Sequence, residues 1–260
     1  MFRRSAARHH GVAGRVGAGG RALTCSAVKP QGLPPGRLAQ IAESFARGGL
    51  DFVKDDHGLA DQEYSRFADR VGRCAEAVRR AAQETGHATQ YVPSLSGDLE
   101  TMRDQIRVAR DAGVGAVMVA PMVSGFANFH SVVRENPATA FMAHPSMAGA
   151  ARIAPELLIG KLFPLIGADA VIFPNHGGRF GYTAETCRRL SENARGSADG
   201  GRGAIPVPAG GMTVARVAEM LDFYGPDTML LLGGSLLAAG EGLVEATSAF
   251  ARAVSEHIYR

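Results

Sequence analysis

The sequence predicts an α/β protein of the (β/α)8 barrel class, and two observations carry that expectation. Short apolar runs alternate strictly with amphipathic helical patterns, eight of each, at a spacing that suits right-handed βαβ units. Polar residues and glycines then recur at the C-terminal end of one strand after another, the rim where a barrel gathers its chemistry. An open doubly wound sheet fits the same count and is the alternative.

The strands are expected at 22–28, 50–53, 88–95, 116–122, 140–144, 170–174, 204–208 and 229–232. Each is short and apolar on both faces, as parallel strands covered by helices are. The helical patterns fall at 35–47, 67–85, 99–112, 128–135, 155–166, 184–194, 214–224 and 242–257. Asp98 and Thr213 stand where N-caps belong, and Gly48, Gly86, Gly113 and Gly225-Pro226 where helices stop. Residues 1–20 are rich in Arg, Gly and His, lack acidic residues and show no apolar period. They read as a disordered leader or the remnant of a linker, with a transit peptide as the alternative; the barrel domain then spans 21–260.

Charge and composition narrow the partners. The formal charge is +3, and Arg3, Arg4, Arg8, Arg15 and Arg21 precede the first acidic residue, so the rest of the chain is close to neutral. No basic face is expected on the folded body, which argues against nucleic acid. No apolar run reaches the length of a membrane span. Cys25, Cys74 and Cys187 share no metal-ligand spacing, and a reduced, cytoplasmic protein is the simplest reading.

The strand ends, taken in order, carry Lys29, then Lys54-Asp55-Asp56-His57, Pro93-Ser94, Pro121-Met122, His144, the run from Asn175 to Arg179, Gly210-Gly211 and Gly233-Gly234-Ser235. A lysine at the end of a buried strand is costly unless its charge is paired or consumed. Asp56 and His57 are ordinary donors to a divalent cation, although a solvated charge cluster has the same text. The paired glycines, each followed by a helix, let backbone N–H groups approach an anion. They lie after strands 7 and 8, where barrel phosphate sites form, so a phosphorylated small molecule is the implied ligand; two tight turns are the alternative. Gly177-Gly178-Arg179 reads either as a surface turn or as a lid carrying a cation. His144 alone reads as a core histidine or a site residue.

These residues resemble the large chain of RuBisCO and the RuBisCO-like proteins. Lys29-Pro30, the stretch Gly48–Asp56 and both Gly-Gly turns carry the resemblance, which runs from about Leu23 to the C-terminus. It implies a TIM barrel of the RuBisCO C-terminal-domain type, with the family's N-terminal α+β domain missing from this chain, and a homodimer whose partner subunit completes the site. It implies that CO2 carbamylates Lys54, which with Asp56 and His57 binds Mg2+. Lys29 matches the family's proton-moving lysine, His144 a catalytic histidine, Arg179 the lid lysine, and Gly210, Gly211, Gly233 and Gly234 the backbone donors to a substrate phosphate.

The departures shape the expected activity. His57 stands where RuBisCO has a third carboxylate ligand, Gln31 where it has a second lysine, Pro145 and Ala148 where it has an arginine and a histidine, and Ile172 where it has another histidine. Carboxylation of ribulose bisphosphate is therefore not expected. The stretches K-D-D-H-G-L-A-D-Q and F-P-N-H-G-G-R-F most resemble the branch that decarboxylates 3-oxoisoapionate 4-phosphate. The expected function is thus a Mg2+-dependent carbon–carbon lyase acting through an enediolate on a phosphorylated sugar acid. The enolase and isomerase of methionine salvage, which act on a methylthio-sugar phosphate, are the alternative. A transcarboxylase or hydrolase of the sugar-acid pathway, and a truncated barrel that only binds a phosphorylated ligand, stand behind them.

Overall fold

All strands in the computed structural model, which describes residues 12, 14, 16–196 and 203–259, run parallel in one sheet. They are β1 (Leu23–Val28), β2 (Phe52–Asp55), β3 (Gln90–Val92), β4 (Ser94–Leu95), β5 (Ala116–Val119), β6 (Ala140–Ala143), β7 (Ala170–Pro174), β8 (Ile205–Ala209) and β9 (Met229–Leu231). The sheet order β3-β2-β1-β9-β8-β7-β6-β5-β4 begins and ends on β3 and β4, which flank Pro93 in the chain. Proline has no N–H for a ladder, so the strand expected at 88–95 appears as two short pieces. The Pro93 carbonyl still accepts from the Met118 N–H at 2.8 Å, and the eight-stranded barrel closes there.

Period-two alternation divides the core in two. Leu23, Cys25, Phe52, Val92, Met118, Met142, Ile172, Val207 and Leu231 fill the barrel interior. The outward parity, including Val28, Val53, Val117 and Val171, meets the apolar faces of the surrounding helices, such as Leu38, Ala42 and Phe45 from Pro35–Arg47 and Val71, Cys74 and Val78 from Phe67–Thr85.

Several expectations are corrected by local chemistry. β2 starts two residues later than expected and ends on Asp55, so Lys54 lies within the strand and points inward with Phe52. The helix expected at 155–166 is Pro155–Leu157, a π-helical stretch Leu158–Leu162, and Phe163–Leu165. Pro164 lacks the N–H that the preceding turn needs, and the turn widens. Asp98 caps its helix by accepting from the Thr101 N–H, whereas Thr213 makes no side-chain cap and a 3-10 turn, Val214–Arg216, opens that helix.

The segment expected to be a leader also contributes to the core. Residues 1–11, 13 and 15 lie outside the described part, but Val12, Val16 and Ala18 are buried in the barrel-interior cluster. Val12 lines a small void with Phe52, Ala116, Ala140, Ala170 and Met229, all at or near the starts of strands. These apolar residues therefore floor the barrel at the end away from the polar rim. Arg21 and Asp51 lock the same end: the guanidinium donates to both carboxylate oxygens at 2.7 and 2.8 Å, and Asp51 also accepts from the Thr24 amide and hydroxyl. Among the described residues no helix is long and apolar enough to cross a membrane.

Candidate active site

The K-D-D-H text is sorted by strand parity. Lys54 follows Phe52 on the inward side and is 3% exposed. Asp55 points outward, is fully buried, and accepts from Arg70 Nε at 3.1 Å, Tyr91 Oη at 2.5 Å and the Ser94 N–H at 3.0 Å. Arg70 extends from the helix behind the strand and donates to the carbonyls of Ser65 and Ala60, which pins the loop after His57. Asp55 is thus a wall residue, and Asp56, one step later, returns to the mouth.

Around Asp56 the structure brings together residues from three strand ends. Lys29 Nζ lies 3.3 Å from Asp56 Oδ2. Asp56 Oδ1 accepts from the Gly58 N–H at 3.0 Å and from Gln31 Nε2 at 3.3 Å, and His57 Nδ1 stands 3.3 Å from it. His144, at the end of β6, stacks on His57 with ring centroids 4.4 Å apart and planes 6° from parallel. The Lys54 ammonium donates to the Asp55 carbonyl at 3.0 Å.

The electrostatics follow from this crowding. Burial depresses the Lys54 amine, since a charge in a low-dielectric interior is penalised. Burial works to raise the Asp56 carboxyl, but the Gly58 amide, Lys29, His57 and Lys54 outweigh it and hold it at about 2. Burial, followed by Lys54 and His57, pushes His144 down to about 2, and burial with the neighbouring cations lowers His57 as well. The site therefore holds one carboxylate and two neutral imidazoles.

A divalent cation fits this donor set. Two donors each about 2.1 Å from one cation at right angles lie about 3.0 Å apart, close to the separation of Asp56 Oδ1 and His57 Nδ1. Among the described residues no three of His, Cys, Asp and Glu gather as a metal cluster. Lys54 would supply a third donor only as a carbamate, and its depressed amine suits that reaction, since only the unprotonated form reacts with CO2.

The remaining candidates follow β7, β8 and β9 on the same rim. Arg179 lies over the Phe180 ring at 4.9 Å, forms no ion pair among the described residues, and is near enough for its charge to lower His57. Its loop rests on the first glycine turn: a Cβ on Gly178 would meet the Gly210 carbonyl oxygen at 2.1 Å, and one on Gly211 would meet the Arg179 nitrogen at 2.7 Å. Gly233 and Gly234 have open space around them, and Ser235 Oγ donates to the Met212 carbonyl at 2.9 Å, tying the two glycine turns together. Ser146 is a site residue that sequence reasoning missed. Its hydroxyl and amide both address His144 Nδ1, and the only signal for it was a hydroxyl two residues past a histidine.

A family model described as ribulose bisphosphate carboxylase large chain, catalytic domain, matches residues 11–183. The chain belongs to this RuBisCO large-chain family. Within it, the chain is 56% identical over 94% of its length to a protein of Rhodospirillum rubrum named 5-methylthioribulose-1-phosphate isomerase, covering 66% of that protein. It is 52% identical over 95% of its length to ribulose bisphosphate carboxylase-like protein 1 of Rhodopseudomonas palustris, covering 67% of it. A crystal structure of a RuBisCO-like protein from Rhodopseudomonas palustris superposes with a TM-score of 0.91 at 48% identity, over 97% of this chain and 69% of that one. The chain thus spans about two thirds of the length of the relatives it matches.

These comparisons overturn the decarboxylase expectation. Where the similar proteins carry an activity name it is isomerase or enolase, the latter including a putative 2,3-diketo-5-methylthiopentyl-1-phosphate enolase of Shouchella clausii at 29% identity over 94% of this chain. The two motifs that suggested decarboxylation lie at the ends of β2 and β7, and relatives of this chain that share its family carry isomerase and enolase names.

Proposed function

We propose that this RuBisCO-like barrel is the catalytic domain of an isomerase acting on a methylthio-pentulose phosphate, of the kind named for the Rhodospirillum rubrum relative. The observation that carries the reading is the 56% identity with that protein along nearly the whole chain. The enolase names belong to relatives near 29% identity, and the isomerase reading takes precedence for that reason.

The chemistry of the mouth supports it. Carbamylated Lys54, Asp56 and His57 would hold Mg2+, which when bound acts as a Lewis acid and stabilises negative charge on the oxygens of an enediolate. Lys29, held at the mouth by Asp56, would in its unprotonated form take a proton from the carbon beside the carbonyl and return it to the neighbouring carbon. Gly210, Gly211, Gly233 and Gly234 would offer backbone N–H groups to the single phosphate, and Arg179 would close over the substrate from its loop. Exposed Val123, Met147 and Phe180 on the same rim support a homodimer in which a second subunit covers the mouth. Three buried free cysteines support a reducing, cytoplasmic setting.

The test is an NMR assay of the protein with 5-methylthioribulose 1-phosphate, Mg2+ and bicarbonate in D2O. Conversion to an isomeric ketose phosphate, with deuterium entering at carbon, is expected. Unchanged substrate, under conditions in which Lys54 is shown to be carbamylated, would reject the reading.

A further inference from the structure

The hydrogen bonds to the ring of His144 come from Ser146 among the described residues, and their geometry assigns its proton. The Ser146 backbone N–H donates to His144 Nδ1 at 3.1 Å, and the Ser146 hydroxyl lies 2.8 Å from the same nitrogen. A main-chain amide is only ever a donor. The nitrogen it addresses must offer a lone pair, which excludes a proton on Nδ1 and equally excludes the doubly protonated ring. The one proton of a neutral imidazole then sits on Nε2. His144 continues the inward parity of Ala140 and Met142, and its Nε2 has no hydrogen-bond partner among the described residues.

The turn that aims this amide is an uncommon one. The Ala148 N–H donates back to the Pro145 carbonyl at 2.9 Å, closing four residues around Ser146 and Met147. Met147 takes a left-handed conformation with φ 64° and ψ 0°, a position glycine usually fills. Its side chain is 63% exposed, so packing does not impose the conformation. Among the described residues Met147 is the one non-glycine residue at positive φ, and it sits beside the residue whose amide fixes the ring.

We propose that Ser146 is a positioning residue that holds His144 in its Nε2–H tautomer, so that the imidazole serves the substrate as a hydrogen-bond donor to oxygen and not as the base at carbon. The tautomer rests on geometry alone; the oxygen it addresses rests on the isomerase reading above. In that reaction Lys29, in its unprotonated form, would take the proton leaving carbon and return it to the neighbouring carbon, while the hydroxyl proton passes between the two adjacent enediolate oxygens. His144 donates a hydrogen bond to one of those oxygens and keeps its own proton, so no proton is gained or lost.

The experiment is 15N NMR of the resting protein labelled at histidine rings and backbone amides, with His144→Gln identifying the His144 signals among the eight histidines. A pyrrole-type Nε2, a pyridine-type Nδ1 and a scalar coupling across the hydrogen bond from the Ser146 amide to Nδ1 are expected. A pyridine-type Nε2, or tautomer-averaged signals without that coupling, would overturn the proposal. Ser146→Pro removes both donors; when folded by circular dichroism it should show averaged ring signals and a loss of kcat larger than any change in KM. Unchanged ring signals in that folded variant would also overturn it, and if the variant does not fold, the coupling in the unaltered protein decides. No substrate is needed for the spectra. Absence of isomerase turnover would therefore remove the proposed function and leave the tautomer assignment standing.

Discussion

Asp55 and Asp56 are neighbours in the chain yet face opposite sides of the barrel wall. Asp55 is locked to Arg70, Tyr91 and the Ser94 amide in the helix layer, while Asp56 meets Lys29 and His57 at the mouth. Removing one charge should therefore have different consequences at the two positions. Breaking a fully buried ion pair leaves the partner uncompensated and costs about 3 kcal/mol or more. Asp55→Asn is expected to lower the urea midpoint accordingly. Asp56→Asn is expected to cost less stability than Asp55→Asn, because Lys29 and His57 remain partly solvated, but to lose Mg2+ uptake in calorimetry. Similar stability losses in the two variants would contradict this division.

The same pair shows what the sequence made legible. Strand periodicity and the glycines at one rim were enough to read the barrel, because parallel strands covered on both sides leave continuous apolar runs. The roles within Lys54-Asp55-Asp56-His57 depended on the strand's end, and the shift of β2 by two residues put Lys54 inside the strand, facing the barrel interior, and Asp55 in the wall. The floor was hidden for a different reason. Val12, Val16 and Ala18 are separated by glycine and arginine, and three buried residues make no period to detect. Ser146 was invisible because its action runs through a backbone amide, which every residue except proline possesses. The substrate could not be read from the motifs, since relatives within this one family carry both isomerase and enolase names.

Lys54 is expected to take up CO2. Burial keeps its amine depressed, and a carbamate would replace a desolvated cation with an anionic oxygen donor beside Asp56 and His57. In 13C NMR with labelled bicarbonate, a carbamate signal should appear and sharpen when Mg2+ is added. It should be absent from Lys54→Met, and a signal of equal size in that variant would assign the carbamate elsewhere.

The lock at the barrel floor should set part of the acid limit of the fold. Burial raises the Asp51 carboxyl, but the hydrogen bonds and charge of Arg21, the His87 ring 3.5 Å away and the Thr24 amide outweigh it, and the group ends below its ordinary value. A depressed carboxyl contributes stability that is complete above the unfolded value of about 3.9 and is lost as pH falls through the lower folded value. The parent should therefore lose stability steeply below about pH 4. Asp51→Asn should start lower by about 3 kcal/mol at neutral pH and show a shallower slope in that acid range. Parallel pH curves for the two proteins would show that this carboxylate does not set the limit.

The two glycine turns should separate fold from ligand. At Gly211, φ is 76° and a Cβ would press on the Arg179 backbone at 2.7 Å, so Gly211→Ala is expected to lower the melting temperature and to displace the Arg179 loop. Gly233 has φ −118° and nothing within 4 Å of the Cβ an alanine would add. No atom of the free protein stands where that methyl would go, and its thermal midpoint should stay near the parent's. An added methyl would nevertheless occupy the space above the N–H groups that a phosphate approaches. Gly233→Ala is therefore expected to raise the KM for a phosphorylated substrate at least tenfold with little change in melting temperature. An unchanged KM in a stable Gly233→Ala protein would move the phosphate away from this turn.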